Sequence, residues 1–252
     1  MAEPLLRTES LAKRFGGLLA VDGVSLAAEA GRITAVIGPN GAGKTTLFAL
    51  ISGFLAPDQG RILYGGLDVT GEPSHRLARR GIVRTFQIVQ PFAGLTVHEN
   101  IAVGAHLCRA ARGEALAAAA HTANGVGLGG FLDRPAASLT VAGRKRLELA
   151  RALAAEPKLL LLDEVLAGLN PSEIRDMVPV IQAIRARGVT ILMIEHVMQA
   201  VMRLAEHVFV LAEGRVIAAG APPAVASDPR VVEAYLGPGA AARLAGGGVH
   251  AG

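Results

Sequence analysis

The chain has 252 residues, of which 51% are hydrophobic, and its formal net charge is +4. This is enough for a sizeable buried core in one large domain, or in one domain with an inserted lobe. The modest positive charge suits anionic ligands or an anionic membrane surface and is too small to indicate nucleic acid, and seven Phe, two Tyr and no Trp argue against base-stacking platforms.

Neither a membrane span nor a targeting segment is predicted. Residues 147–165, the richest apolar stretch, contain six charged side chains, whereas a spanning helix needs ~20 predominantly apolar residues. Residues 1–10 contain three charged side chains and no long apolar block, so we expect no signal peptide. The single cysteine, Cys108, cannot form an internal disulfide, which suits a reducing compartment. We therefore expect a cytoplasmic protein.

The first third of the chain predicts antiparallel strands followed by a strand–loop–helix unit. Alternating or β-branched runs separated by glycines are typical of strands. One such run stops abruptly at Gly38, and a helical pattern over residues 44–52 follows it and ends at Gly53. The predicted strands are residues 5–14, 24–28, 33–37, 61–64 and 82–86.

From about residue 95 to residue 137 the composition changes to Ala, Gly and His, which predicts an inserted helical lobe. Helical patterns cover residues 97–112 and 114–123, and residues 124–130 form a Gly-rich loop. We expect the apolar faces of these helices to serve packing. Including the helix that follows, this subdomain covers about residues 92–155.

Strand–helix alternation then returns and predicts a three-layer α/β sheet. The apolar run 159–162 has the pattern of a strand that is buried on both faces. The Ala/Gly-rich tail, residues 238–252, is expected to be disordered. The predicted helices are residues 141–154, 171–187 and 197–205, and the predicted strands are residues 159–162, 190–194, 207–211 and 215–219.

Residues 38–45, GPNGAGKT, fit the phosphate-binding pattern G-x-x-x-x-G-K-[ST] between a strand and a helix. The glycines let backbone N–H groups converge on phosphate oxygens, and the helix directs its positive dipole end toward them. Lys44 is expected to reach the β- and γ-phosphates, and the Thr45 hydroxyl to bind Mg²⁺. The predicted nucleotide-binding residues are Gly38, Pro39, Asn40, Gly41, Ala42, Gly43, Lys44, Thr45 and Thr46.

Two adjacent acids, Asp163 and Glu164, follow the buried strand 159–162. Ligands bind at the carboxyl ends of strands in open α/β sheets. Because successive side chains point to opposite sides of a strand, we assign Asp163 to Mg²⁺ and Glu164 to activation of the attacking water. Alone, such acids are as often solvated strand ends, but the phosphate-binding loop favours the functional interpretation.

Two further side chains follow other predicted strands. His196 could donate a hydrogen bond to a γ-phosphate oxygen, although a lone histidine is more often a surface or core residue. Gln87 could contact both the metal and the water and report nucleotide state to a partner. By itself, however, a glutamine at a strand end carries little information.

In their order along the chain, these motifs resemble those of ABC ATPases, and the sequence is similar in particular to the ATP-binding subunits of branched-chain amino acid importers. The resemblance covers about residues 5–237. It implies a P-loop NTPase (RecA-like) core with an antiparallel β subdomain and an inserted helical subdomain, within one ATPase domain at residues 1–237. The passages that carry it are residues 84–87 (RTFQ), 147–151 (LELAR), 167–171 (AGLNP), 194–198 (IEHVM) and 232–237 (VEAYLG).

The resemblance also implies roles for residues that local patterns leave open. Phe15 matches the aromatic residue that stacks on adenine. Thr140, Val141, Ala142 and Gly143 match the signature motif, which caps ATP held by the opposite subunit. Thr140 begins a predicted helix, where hydroxyl, N–H groups and dipole favour an anion, and simple helix capping fits equally well.

Several residues depart from the family pattern. The signature usually is L-S-G-G-Q, so that Val141 and Ala142 replace glycines and Gly143 replaces glutamine. Val165 stands where proline is usual, and Asn170 where aspartate is usual. Because these changes affect the half of the site that a second subunit supplies, we predict that hydrolysis survives at reduced efficiency.

The resemblance implies that the protein is an ATP hydrolase of the translocase class. It energises import of branched-chain amino acids or of a related small polar solute such as an amide, urea or an aromatic acid. The implied partners are hydrophobic permease subunits docking near residues 87–92, a second ATPase subunit (a paralogue or a second copy), and indirectly a periplasmic or extracellular solute-binding protein, but no nucleic acid. The expected location is peripheral, on the cytoplasmic face of the cell membrane.

Two other classes of protein fit the sequence less well. A soluble ABC ATPase of DNA repair or translation usually contains two fused cassettes or a long coiled-coil insert, and neither is present in the sequence. A GTPase should contain an N-K-x-D motif, which is absent, and a small-molecule kinase would not explain the signature helix and His196.

Overall fold

The computed structural model describes residues 3–86, 90–237 and 243. Within this part of the chain, helices pack against two β-sheets. The strands are β1 (Leu6–Phe15), β2 (Leu18–Ala28), β3 (Ile33–Ile37), β4 (Gln59–Tyr64), β5 (Leu67–Asp68), β6 (Ile82–Arg84), β7 (Leu159–Asp163), β8 (Thr190–Ile194), β9 (His207–Ala212) and β10 (Arg215–Gly220). The helices are α1 (Lys44–Ile51), α2 (Ser74–Arg80), α3 (Val97–Ala105), α4 (Arg112–Gly125), α5 (Val141–Ala154), α6 (Pro171–Ala186), α7 (Met198–Leu204), α8 (Pro222–Ala226) and α9 (Pro229–Leu236).

The central sheet has six strands in the order β10-β9-β3-β8-β7-β6. All neighbouring pairs are parallel except the β9–β10 hairpin. Every residue of β3, β7 and β8 is buried, as expected for parallel strands covered on both faces. Because these strands are parallel neighbours, the segments that leave their carboxyl ends meet at one edge of the sheet.

Side chains of the central strands alternate between two hydrophobic cores. Ala35 and Ile37 of β3 pack with α3 to α7 on one side, whereas Val36 packs with α1 and the second sheet on the other. The second sheet is antiparallel, in the order β2-β1-β4-β5. The predicted three-layer α/β architecture with an antiparallel β subdomain is confirmed.

Helices α3, α4 and α5 pack against one another and form the predicted helical lobe. A capping box between Thr96 and Glu99 starts α3. A Cβ on Gly104 would lie 2.1 Å from the Arg151 carbonyl oxygen. The backbones of α3 and α5 are therefore in direct contact at this point. The helix predicted over residues 97–112 is wrong in length, since α3 ends at Ala105 although no proline marks the break.

Three short helices were not predicted: α2, α8 and α9. Helices α8 and α9 each start at a proline, and Asp228 caps α9 by accepting a hydrogen bond from Arg230 N. Among the described residues, no helix combines the length and the apolar character needed to cross a bilayer.

Candidate functional site

The loop between β3 and α1 is shaped by glycines that no other residue could replace without strain. Gly38 has φ 148°, and a Cβ there would lie 2.0 Å from Leu211 O. Gly43 has φ 97°, and a Cβ there would lie 2.2 Å from Ala20 O. The predicted phosphate-binding loop therefore packs directly against the backbone of its neighbours, as a rigid cradle requires.

Helix α1 begins with an open, electropositive end. No side chain caps it and no acid lies in its first turn, so its first N–H groups are left for a ligand. Lys44 Nζ donates to the carbonyl oxygens of Gly38 at 2.8 Å and Pro39 at 2.9 Å. Burial lowers the pKa of Lys44, while the charges of Glu164 and Asp163 oppose that change. The ammonium group is thus held at the loop, next to two acids.

The loop opens on a cavity of about 1130 Å³ that brings together most of the predicted nucleotide-binding residues. Phe15 is 46% exposed at this cavity, with Lys13 Nζ 5.9 Å from its ring centroid. An aromatic face at the edge of a phosphate cradle is suited to stacking on a base. The lining residues are Phe15, Leu18, Leu19, Ala20, Asn40, Gly41, Ala42, Gly43, Lys44, Thr45, Thr46, Glu164, His196, Glu213 and Gly214.

The β9–β10 turn at Glu213-Gly214 belongs to this cavity, and sequence reasoning missed it. Gly214 N donates to Ala42 O at 3.1 Å, and Asp22 N donates to Gly214 O at 2.9 Å. The turn therefore ties the phosphate-binding loop to β2. Its sequence signal was only that of a hairpin turn, which says nothing about what the turn contacts.

Glu164 and His196 meet at the edge of the cavity. They follow β7 and β8, and His196 Nε2 lies 2.6 Å from Glu164 Oε1. Glu164 has φ 50°, an uncommon conformation for a residue other than glycine, and its N–H donates to Ile194 O at 3.0 Å. Two of the predicted catalytic side chains are thus in contact, and His196 can orient the Glu164 carboxylate.

Asp163 ends β7 and is 2% exposed. Its Oδ2 accepts a hydrogen bond from Arg84 Nη2 at 2.6 Å, and among the described residues its buried Oδ1 has no partner. Asp163 and Thr45 line the same cavity of about 460 Å³. A buried carboxylate oxygen without a partner and a nearby hydroxyl fit Mg²⁺, which prefers oxygen ligands. Arg84 completes this cluster, although in the sequence it stands out only as a member of the RTFQ motif.

Gln87 lies outside the described residues. Phe86, which precedes it, is 43% exposed and packs edge-to-face on Phe54, with ring centroids 5.6 Å apart. Phe92 is 48% exposed beneath the guanidinium of Arg151, which lies 5.2 Å from its ring centroid.

The structure does not bring the signature residues to the phosphate-binding loop of the same chain. Thr140 caps α5, and its Oγ1 accepts a hydrogen bond from Gly143 N at 3.2 Å. Thr140, Ala142 and Gly143 line a separate cavity of about 300 Å³, and Val141 is 57% exposed. Within one chain these residues start a helix, so any contact with nucleotide must involve another molecule.

Comparison with known protein families gives two matches along the chain. The family described as ABC transporter matches residues 21–167. A second family, described as branched-chain amino acid ATP-binding cassette transporter, matches residues 215–238.

Individual relatives match over nearly the whole length. The chain is 41% identical to the high-affinity branched-chain amino acid transport ATP-binding protein BraF of Pseudomonas aeruginosa, over 94% of this chain and 99% of that protein. It is 40% identical to the branched-chain amino acid transport ATP-binding protein LivG of Escherichia coli, again over 94% of this chain and 99% of that protein. It is 38% identical to a probable LivG of Archaeoglobus fulgidus, over 92% of this chain and 95% of that protein.

Solved structures of ATP-binding cassettes are also similar to this chain. The ADP conformation of MJ1267, an ATP-binding cassette of an ABC transporter, superposes with a TM-score of 0.86 at 35% identity, over 94% of this chain and 100% of that one. A nucleotide-free ATP-binding cassette from an ABC transporter gives 0.85 at 35% identity, over 92% and 98%.

Proposed function

Since the chain belongs to the ABC transporter family of ATP-binding proteins, we propose that it hydrolyses ATP to energise the import of branched-chain amino acids. A related small polar solute, such as an amide, urea or an aromatic acid, is the alternative cargo. The names of the relatives, which match over more than nine tenths of the chain, support the amino acid cargo. The observation that carries the catalytic part is one cavity lined by the phosphate-binding loop, Glu164 and His196.

We assign the chemistry to the side chains at that cavity. Lys44 and the N–H groups at the start of α1 hold the β- and γ-phosphates and offset the charge that develops during transfer. Glu164 takes a proton from the attacking water as the water oxygen bonds to the γ-phosphorus, while the bond from that phosphorus to the β–γ bridging oxygen breaks and ADP leaves with the electron pair. His196 fixes the carboxylate and donates to the phosphoryl group. Phe15 stacks on the adenine.

A divalent cation fits the neighbouring cluster. The Asp163 Oδ1 and Thr45 oxygens, with Gln87, are the proposed ligands of Mg²⁺, which when bound would neutralise charge on the phosphate oxygens. Arg84 holds the other oxygen of Asp163, so this carboxylate is oriented by the protein itself.

We propose that two ATPase subunits face each other, so that the signature residues 140–143 of one cap the nucleotide held by the other. The separation of the signature from the loop within one chain supports this arrangement. The partner is a paralogue or a second copy of this chain. Because Val141, Ala142 and Gly143 replace the usual G-G-Q, we propose that hydrolysis runs below the rate typical of the family.

We propose that hydrophobic permease subunits dock near residues 87–92. The exposed ring of Phe86, which lines the cavity of about 460 Å³, and the exposed ring of Phe92, which lies under Arg151 of the same cavity, support this, since apolar side chains at a surface favour a partner. The protein would then work peripherally on the cytoplasmic face of the cell membrane, indirectly with a solute-binding protein and without nucleic acid. We assign residues 1–237 to one ATPase domain with a helical subdomain at about 92–155. The tail predicted for residues 238–252 lies, apart from Arg243, outside the described residues.

The test is uptake and hydrolysis by the reconstituted transporter. The complex should be purified with its permease subunits, placed in proteoliposomes with a solute-binding protein and ATP, and supplied with radiolabelled leucine, urea or an aromatic acid. We expect ATP-dependent leucine uptake, which Glu164→Gln abolishes while Glu114→Gln, on the exposed face of α4, leaves it unchanged. ATP hydrolysis without permease association would indicate an ABC ATPase that is not coupled to transport, and would overturn the proposal.

A further inference from the structure

Glu164 occupies a backbone conformation that needs support from outside its own segment. Its φ of 50° lies in the left-handed region, which is unfavourable for a residue with a side chain. The residues that follow, 165 and 166, form an irregular turn rather than a regular element. The catalytic carboxylate is therefore carried by a turn whose shape must be imposed by neighbouring groups.

One support comes from the signature helix. Lys145 lies on α5, five residues after the helix cap Thr140, and is 7% exposed. Its Nζ donates to the backbone carbonyl oxygen of Glu164 at 3.0 Å. A buried ammonium group is costly unless acids surround it, and the charges of Glu195, Glu164, Asp163 and Glu148 all act on Lys145.

The second support comes from the end of β8. Glu195, next to His196 in the chain, is 1% exposed, and its Oε1 accepts a hydrogen bond from Leu166 N at 2.9 Å. Its charge interacts with those of Glu164 and Lys145. An ammonium group and a carboxyl group from two different elements thus bind the carbonyl at residue 164 and the amide at residue 166.

Neither side chain is placed to contact the nucleotide. The described residues that line the 1130 Å³ cavity include Glu164 and His196 but neither Lys145 nor Glu195. Both influence the cavity through the turn that they hold, and their charges also act on Glu164. Because Lys145 lies on the helix that begins with the signature, a shift of α5 would move the carbonyl of Glu164.

Building on the proposed function, we propose that Lys145 and Glu195 are positioning residues that fix the 164–166 turn and thereby aim the Glu164 carboxylate at the attacking water. Because Lys145 lies on the signature helix α5, its hydrogen bond to the Glu164 carbonyl would also transmit a movement of that helix to the catalytic base. Their substitution should lower the rate of hydrolysis and leave nucleotide affinity unchanged, because a small misplacement of a catalytic group affects the transition state alone.

The kinetic test uses Lys145→Met, Glu195→Leu and Glu195→Gln in the assembled transporter, with Lys158→Met and Glu114→Gln as exposed controls. We expect Lys145→Met and Glu195→Leu to lower kcat by ~10–100-fold, with the Kd of a fluorescent ATP analogue changed less than twofold. Glu195→Gln, which keeps the side-chain oxygen that accepts from Leu166 N, should retain most of the activity that Glu195→Leu loses. The double variant Lys145→Met, Glu195→Leu should lose less than the product of the single effects, since both act on one turn.

A second measurement does not depend on hydrolysis. Hydrogen–deuterium exchange of the peptide that covers residues 164–167 should be faster in Glu195→Leu than in the wild type, and Glu195→Gln should restore slow exchange. If the wild-type complex hydrolyses no ATP, the proposed function fails. The exchange measurement still tests whether Glu195 holds the 164–166 turn, because it does not depend on hydrolysis. Unchanged exchange in Glu195→Leu, or losses of kcat matched by equal losses of affinity, would overturn the inference.

Discussion

The guanidinium of Arg84 and the carboxylate of Asp163 form a buried ion pair, with 2.6 Å between Nη2 and Oδ2. The side chains are 9% and 2% exposed. Arg84 also donates to Ser52 Oγ at 3.3 Å and lies 5.9 Å from the ring centroids of Phe48 and Phe54. The carboxylate assigned to the cation is thus compensated by a fixed positive charge before any cation binds.

Removal of Arg84 should therefore destabilise the fold itself. Arg84→Met leaves the buried Asp163 carboxylate without its counter-charge, which we expect to cost about 3–5 kcal/mol of unfolding free energy. The measurement is urea unfolding of the chain without nucleotide or Mg²⁺. Arg230→Met, which breaks an exposed pair with Asp228, is the control and should cost far less. Equal losses in the two variants would contradict the buried pair.

Glu195 should make stability depend on pH. Burial raises the pKa of Glu195 from 4.5 to about 7, and the negative charge of Glu164 adds to this increase. Hydrogen bonds from the backbone of Leu166 and His196 and the positive charge of Lys145 lower the pKa and offset part of it. The folded state then keeps a proton that the unfolded state loses. The contribution of Glu195 to the free energy of unfolding is therefore highest below pH 4.5. It falls as the pH rises toward 7, by about 3 kcal/mol in total.

Glu195→Gln, which does not titrate, reports this effect directly. Relative to the wild type, its unfolding free energy should increase between pH 5 and pH 8, when both chains are unfolded in urea without metal. A difference that stays constant across this range would show that Glu195 titrates normally in the fold.

His196 should matter for hydrolysis far more than for binding. Its Nε2 contacts Glu164 Oε1 at 2.6 Å, and its proposed donation to the phosphoryl group acts in the transition state. We expect His196→Ala to lower kcat of the assembled transporter by ~100-fold or more, with little change in nucleotide affinity. His75→Ala, on the exposed surface of α2, should have no effect. A His196→Ala complex with wild-type kcat would remove this residue from the mechanism.

Gly43 should tolerate no side chain. Gly43→Ala places a Cβ 2.2 Å from Ala20 O in a backbone with φ 97°, so the loop must move away from β2. We expect the affinity for an ATP analogue to fall by ~10-fold or more, since the N–H groups that face the phosphates shift together. Gly113→Ala, where a Cβ would meet nothing within 4 Å, is the control and should bind normally. The readout is equilibrium fluorescence titration.

Much of this fold was predictable because its strongest patterns are local. The bounds of β3, α5 and β8 match the predicted segments, since each combines a continuous apolar or amphipathic pattern with a clear stop. The short helix α9 also has a local start signal in the sequence, since the capping residue Asp228 is followed by Pro229.

The support around the site was not predictable in the same way. Arg84 and Asp163 are 79 positions apart, and only the neighbouring positions of β6 and β7 bring their ends together. Lys145 and Glu195 likewise meet the 164–166 turn through the order of strands and the packing of α5. Periodicity indicates which face of an element is buried but not which charged groups meet there.

The most direct test of the central claim is the affinity of the purified chain for an ATP analogue before and after removal of one ammonium group. Lys44 Nζ is held by the Gly38 and Pro39 carbonyl oxygens at the phosphate-binding loop, whereas Lys158 is exposed elsewhere. We predict that Lys44→Ala weakens binding by ~10–100-fold, the loss expected for a charged hydrogen bond to phosphate, and that Lys158→Ala binds as the wild type does. Equal affinity in all three proteins would contradict the assignment of this loop to the triphosphate.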